Sequence, residues 1–178
     1  MALGAGSYLI NAISAPWSNL RRRQHVERAI AAGQGGSLAL LYVDLDHFKP
    51  VNDRHGHAVG DEVLQRFAKR LRKVVRPTDG VARIGGHEFA VVMFGVPSRS
   101  VEILFANEIL VVASKPFPNP GHEITVSVSI SVAFGVNDVD GCSQLLARAD
   151  ANSTPRSWLG AVVWSAHPNS EKPLLVSN

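Results

Sequence analysis

The chain has 178 residues, 46% of them hydrophobic and 19% charged, which suits one compact domain with a proper core and excludes a disordered or fibrous protein. Its 18 Lys and Arg against 15 Asp and Glu leave a net charge of +3, enough to favour an anionic ligand such as a nucleotide but too little for a nucleic-acid-binding surface. The single cysteine, Cys142, excludes an internal disulfide and suits a reducing cytosol.

No apolar run reaches the roughly 20 residues needed to cross a bilayer. Residues 1–17 lack a basic stretch ahead of their apolar part and are read as no signal peptide, so a cytoplasmic protein is expected. Leu20 to Ala32 has helical spacing and ends at Gly33, Gly35 and Gly36; Arg21, Arg22 and Arg23 read as its solvated face. Ser37 to Leu45 runs almost unbroken through Leu38, Ala39, Leu40, Leu41, Tyr42 and Val43, the pattern of a buried strand. It ends in Asp44-Leu45-Asp46, and alternation along a strand puts both carboxylates on one face. A polar turn is expected over Asn52 to Gly60. Asp61 to Arg76 then reads as a helix with Val63, Leu64, Phe67, Ala68, Leu71, Val74 and Val75 on one stripe and Lys69, Arg70, Arg72 and Lys73 facing out, stopped by Pro77.

Val81 to Ile84 and Glu88 to Phe94 read as a hairpin in which Gly85-Gly86 supplies positive φ angles. Ser100 to Ser114 reads as a helix, Glu123 to Gly135 as one long half-buried strand, and Cys142 to Asp150 as a further helix. After Asp150 no period is visible among Pro155, Trp158, Trp164, Pro168 and Pro173. The order α, β, α, β-hairpin, α, β, α predicts an α/β sandwich, helices packed on a sheet. The expected divisions are an N-terminal segment over 1–19, a domain over 20–150 and an irregular tail over 151–178.

Three places carry chemistry: Asp44 and Asp46 at a strand end, Asn52 and Asp61 flanking a Gly/His turn, and the hairpin tip Gly85-Gly86-His87-Glu88. Acidic strand ends facing a glycine turn suit a phosphate-bound hard cation, and glycines let backbone approach a phosphate or base. The scattered histidines and lone cysteine give no recognisable zinc-ligand spacing, and His55 and His57 read as surface turn residues.

The stretch D-L-D-H-F-K-P-V-N-D-R-H-G-H-A-V-G-D, residues 44–61, followed by R-P-T-D-G-V-A-R-I-G-G-H-E-F, residues 76–89, closely resembles the GGDEF family of diguanylate cyclases. The resemblance runs from about Leu20 to Asp150. It implies a nucleotide-cyclase and polymerase-palm-like fold, a central, mainly antiparallel sheet flanked by helices. It also implies condensation of two GTP into cyclic-di-GMP with release of pyrophosphate, across a homodimer with one GTP per subunit. Two Mg²⁺ (or Mn²⁺) ions per active subunit would polarise the phosphates.

By the same resemblance, Asp44 and the backbone carbonyl of Leu45 are metal ligands, and Asn52 and Asp61 hydrogen-bond guanine. Phe48 is expected in the core and Lys49 at a phosphate. Gly85 and Gly86 let the hairpin close on the nucleotide, and Glu88 holds the fourth signature position. Arg76 and Asp79 match the family's R-x-x-D product-inhibition site, where arginine forks onto cyclic-di-GMP. From the residues alone, an arginine satisfying helix-end carbonyls and an aspartate in a turn read as well. The helix expected over Ser100 to Ser114 brings no auxiliary arginine.

Three departures stand out. His87 replaces the signature's catalytic carboxylate, removing a negative charge and offering a nitrogen that Mg²⁺ disfavours, although Mn²⁺ tolerates it. A lost metal contact of ~3–5 kcal/mol lowers the rate by roughly 10²–10⁴. Glu88 is expected on the opposite strand face, a poor substitute. Asn11 to Arg22 matches the family's opening poorly. At the end, Ser157 and Ala161 stand where the family's triphosphate-binding Lys and Arg belong, and Pro155 breaks the helix.

A frameshift would explain that ending. Asn152 to Ala161 can be written AAC TCT ACG CCG CGA AGC TGG CTG GGC GCx, with no codon freedom at Trp158. Read from the third base, this gives L-Y-A-A-K-L-A-G-R, the family's missing ending, so a one-base deletion near codon 151 is inferred. Three functional readings follow: a catalytically impaired cyclase, a non-catalytic GTP- or cyclic-di-GMP-binding module acting through a partner signalling protein, and an inactive remnant. None involves nucleic acid or a membrane span.

Overall fold

The computed structural model describes residues 37–97, 99–136, 162–166 and 174–176. The helices expected over Leu20–Ala32 and Cys142–Asp150, the chain start, and Pro155, Ser157 and Ala161 lie outside these residues.

The apolar run at the start of the described chain forms β1 (Ser37–Asp46), in which Leu38, Ala39, Leu40 and Leu41 are all buried. Burial on both faces demands cover on both faces, and both edges of β1 are taken as well. β3 (Glu88–Phe94) pairs along one edge and β6 (Ser127–Val136) along the other, both antiparallel. With β2 (Gly80–Arg83), β7 (Val162–Ala166) and β8 (Leu174–Val176), the sheet order is β2-β3-β1-β6-β7-β8. Every pairing in it is antiparallel, so the expected sheet stands. β7 and β8 extend it from a part of the chain where no periodicity is visible.

One sheet face carries Leu41, Val43 and Leu45 of β1, Phe89, Val91 and Met93 of β3, and Val128 and Ile130 of β6. Against it pack α2 (His57–Val74) through Val63, Leu64, Phe67 and Leu71, and α3 (Arg99–Ala113) through Ala106, Ile109 and Leu110. Phe67 and Phe89 meet edge to face at 5.1 Å, the geometry that the ring quadrupoles prefer.

Four expectations are corrected. The polar turn over Asn52–Gly60 is mostly helix: α1 (Phe48–His55) and α2 are separated only by Gly56, at φ 83°. Phe48 and Val51, three apart, anchor α1 on the core, and that burial outweighs the polar composition. The long strand is two. β5 (His122–Ile124) pairs with β4 (Phe117–Asn119) in a separate small sheet, and β6 starts only at Ser127. Ile124, Val126 and Val128 are all buried, so the two-residue period continues across the break and hides it.

Arg70 and Arg72 do not face out. Arg70 donates to the carbonyls of Val112, Lys115 and Pro116 and lies over the Phe117 ring at 3.8 Å. Arg72 donates to the carbonyls of Arg76, Pro77 and Asp79. Lastly, α3 begins at Arg99, so an arginine does stand at its first position.

Candidate active site

Asp44 lies near the end of β1, directly opposite Glu88 of β3 and Ser129 of β6. Directly paired residues share a sheet face, so Asp44 and Glu88 point the same way. This corrects the expectation for Glu88. His87 precedes the strand, and alternation starts only at Glu88, so the two residues are not forced apart.

The His87 Nε2 stands 3.3 Å from Asp44 Oδ1, out of hydrogen-bonding geometry, and that oxygen is buried without a hydrogen-bond partner. Burial pushes the Asp44 carboxyl up to about 6; the nearby His87 opposes the shift, while Glu88 and Asp46 add to it. Asp46 is better satisfied, its Oδ1 accepting from Ser129 Oγ at 2.8 Å.

The hairpin tip differs from the expected tight turn. Four residues, Ile84 to His87, connect the strands, and neither Gly85 nor Gly86 has positive φ. The Ile84 and Gly85 amides both donate to the Glu88 carbonyl, at 2.9 and 3.3 Å. Gly85 has another role: its missing β-carbon leaves the space that the Glu88 carboxylate occupies. Arg83, which sequence reasoning passed over, ties the tip down by donating to the carbonyls of Gly85 (3.3 Å) and Gly86 (2.7 Å). Its signal was an arginine two residues before the glycine pair. The Leu45 amide donates to the His87 carbonyl at 3.2 Å, fixing the tip against the end of β1.

The chain leaves β1 through His47, whose φ of 53° is the only positive one at a non-glycine among the described residues. That left-handed step turns the backbone into α1 and brings Phe48 beneath the hairpin, its ring stacked on His87 at 6.3 Å. The Phe48 ring also lies near Gly60 of α2, against which the Asn52 carboxamide packs. Asp44, His87, Phe48, Gly60 and Asn52 therefore form one contiguous line. Asp61 follows Gly60 and is exposed, as is Lys49 on the first turn of α1.

Asp79 is completely buried. Its Oδ2 accepts from the Arg76 amide at 3.1 Å and lies 3.4 Å from the Arg76 Nε, while its Oδ1 has no hydrogen-bond partner. Asp79 thus closes the turn between α2 and β2, and the Arg76 side chain is 44% exposed.

A cavity of about 310 Å³ opens beside this line, lined by Asp46, His47, Val51, Arg54, His55 and Glu123 among others. Asp44 and His87 do not line it. The orphaned Asp44 oxygen fits one hard cation, which favours buried carboxylate oxygen. The donor set does not fit a pair of such ions, because position 87 offers imidazole; among the described residues no group of three His, Cys, Asp or Glu could hold a metal.

Residues 18–154 match the family model described as diguanylate cyclase, GGDEF domain. The chain belongs to the GGDEF family. Among GGDEF relatives, it is 39% identical over 114 residues to the diguanylate cyclase TpbB of Pseudomonas aeruginosa, covering 64% of this chain and 26% of that protein. It is 35% identical over 126 residues to the cyclic di-GMP phosphodiesterase NbdA of the same organism, covering 71% of this chain and 16% of that protein. The chain therefore spans about a sixth to a quarter of these relatives' lengths. It also superposes on the solved GGDEF domain of DgcB from Caulobacter crescentus, in complex with c-di-GMP, with a TM-score of 0.62 and 29% identity. That match covers 72% of this chain and 78% of DgcB's. Among the described residues, no helix is long and apolar enough to cross a membrane.

Proposed function

We propose that this GGDEF domain takes a guanine nucleotide, GTP or cyclic-di-GMP, between the end of β1 and the α1–α2 elbow, and that its cyclase chemistry is impaired. The observation that carries the reading is the His87 imidazole 3.3 Å from Asp44 Oδ1, where the family's signature has a carboxylate. An imidazole there either repels a cation, when protonated, or offers it a softer donor than Mg²⁺ prefers. Asp44 and the Leu45 carbonyl would hold one ion. When bound, Mg²⁺ or Mn²⁺ supplies charge neutralisation at the phosphates. Asn52 and Asp61 present an amide and a carboxylate to the base edge, a pairing that tells guanine from adenine, and Lys49 reaches toward phosphate. Turnover to cyclic-di-GMP needs two such sites facing each other in a homodimer, in the cytoplasm where GTP is available.

A second reading is a non-catalytic module that binds cyclic-di-GMP and signals through a partner protein. It is supported by the relative DgcB, solved with that ligand, and by Arg76, whose half-exposed guanidinium can fork onto a phosphate. A third, the remnant of a frameshifted gene, is supported by the family match ending at residue 154. Incubation of the purified protein with GTP and Mg²⁺ or Mn²⁺, following pyrophosphate and cyclic-di-GMP, decides the first point: robust turnover removes the impairment. Calorimetry with both nucleotides decides the rest, since a remnant binds neither. Codons around residue 151 incompatible with the shifted frame end the remnant reading.

A further inference from the structure

His55 closes α1, and His122 opens β5, 67 residues later in the chain; the fold stacks their rings at 4.6 Å and 23°. The facing atoms are the His55 Nδ1 and the His122 Nε2, 3.1 Å apart. The tautomer of His122 follows from its other nitrogen. Its Nδ1 faces the Pro120 carbonyl at 3.2 Å, and a carbonyl only accepts, so Nδ1 carries the proton. The Nε2 of the neutral ring is then an acceptor, and the Asn119 amide donates to it at 2.9 Å. The same Nε2 faces the His55 Nδ1.

This is the arrangement in which a histidine serves as a metal ligand. The distal N–H is held by a backbone carbonyl, which fixes the ring and makes the opposite nitrogen more basic. The spacing also suits an ion. Zn–N bonds of 2.0–2.1 Å at a tetrahedral angle put two imidazole nitrogens about 3.3 Å apart. The His55 ring is pushed toward its neutral form, by burial first and then by His122 and Arg54, and the neutral form is the one that can ligate.

We propose that His55 Nδ1 and His122 Nε2 form a two-histidine site for a borderline transition-metal ion such as Zn²⁺ or Ni²⁺, bridging the α1–α2 elbow and the β4–β5 hairpin. Capture replaces the Asn119 hydrogen bond and the nitrogen–nitrogen contact by two coordinate bonds, with the rings rotating out of the stack so that both lone pairs converge on the ion. No third His, Cys, Asp or Glu completes a cluster among the described residues, so water fills the remaining positions. His55 also lines the 310 Å³ cavity, so the open positions have room for an additional ligand atom. The site is separate from the Asp44–His87 pair and does not depend on the nucleotide reading. It selects against Mg²⁺, which avoids imidazole.

The test uses the full chain, stripped with chelator and carrying Asp44→Asn to silence the other cation site. ZnCl₂ and NiCl₂ are titrated by calorimetry in excess Mg²⁺. Saturable binding of one ion per chain is expected, with a rise in Tm of ~5 °C. His55→Asn and His122→Asn are expected each to weaken binding at least ~10-fold and to abolish the rise. Nitrogen NMR of the same protein without histidine substitutions is expected to move the His55 Nδ1 and His122 Nε2 signals together on adding Zn²⁺. Absence of saturable binding overturns the proposal. So does equal binding by the doubly substituted protein, or Zn²⁺ binding that leaves both nitrogen signals in place.

Discussion

The Asn52 carboxamide fills the space that a β-carbon on Gly60 would need, so the two residues are matched across the α1–α2 elbow. Gly60 lies inside α2, where Gly→Ala ordinarily stabilises by about 1 kcal/mol. Here the sign is expected to reverse. Gly60→Ala pushes Asn52 aside and lowers stability by ~1–2 kcal/mol in urea unfolding. Calorimetry on the same variant is expected to show roughly tenfold weaker GTP binding. A stabilised variant with unchanged affinity would separate Asn52 from the nucleotide.

His87→Asp places a second carboxylate beside Asp44. In Mg²⁺, turnover of GTP is expected to rise by roughly 10²–10⁴, the reverse of the loss assigned to the imidazole. The readout is pyrophosphate release. Tighter Mg²⁺ binding with no gain in turnover would place the block elsewhere than position 87.

Asp44 makes stability depend on pH, with a defined sign. Its carboxyl has a pKa near 6 in the folded protein against 3.8 when unfolded. Between those values the folded chain holds the extra proton, so stability is full below about pH 4 and is lost as pH rises through 6. The loss is on the order of 2 kcal/mol by pH 7. Asp44→Asn, neutral at every pH, is expected to be more stable than wild type at pH 7 and equal to it near pH 4, read as the urea midpoint.

Asp79 and Arg76 are expected to separate in unfolding experiments. Asp79→Ala strips the buried acceptor from the Arg76 amide and lowers stability by ~1–3 kcal/mol. Arg76→Ala removes a half-exposed guanidinium and changes stability by less than ~1 kcal/mol. If cyclic-di-GMP binds here, Arg76→Ala lowers its affinity in calorimetry while the fold is kept.

Much of this arrangement is legible in the sequence, for physical reasons that also mark the limits. The buried run Leu38–Val43 and its acidic ending gave β1 and the place of Asp44, because two-sided burial admits little but apolar residues. The family motifs gave the hairpin and its missing carboxylate. Helix α1 escaped, since only Phe48 and Val51 bury and the rest of its residues read as turn. The break between β5 and β6 escaped because Ile124, Val126 and Val128 keep the period of a single strand. Glu88 shares a face with Asp44, against simple alternation from His87, because His87 lies outside the strand. The pairing of His55 with His122 could not be read at all: no spacing rule links residues 67 apart that meet only through tertiary packing.

The position of β1 between β3 and β6 has one more consequence. A slip of a single residue against either neighbour would drive Asp44 and Asp46 into the oily interior and expel Val43 and Leu45 into water. The carboxylates at the strand end are thus locked in place by the Val43 and Leu45 side chains, which point away from them into the core. Variation at this site is left to the loops around it, such as the one that carries His87.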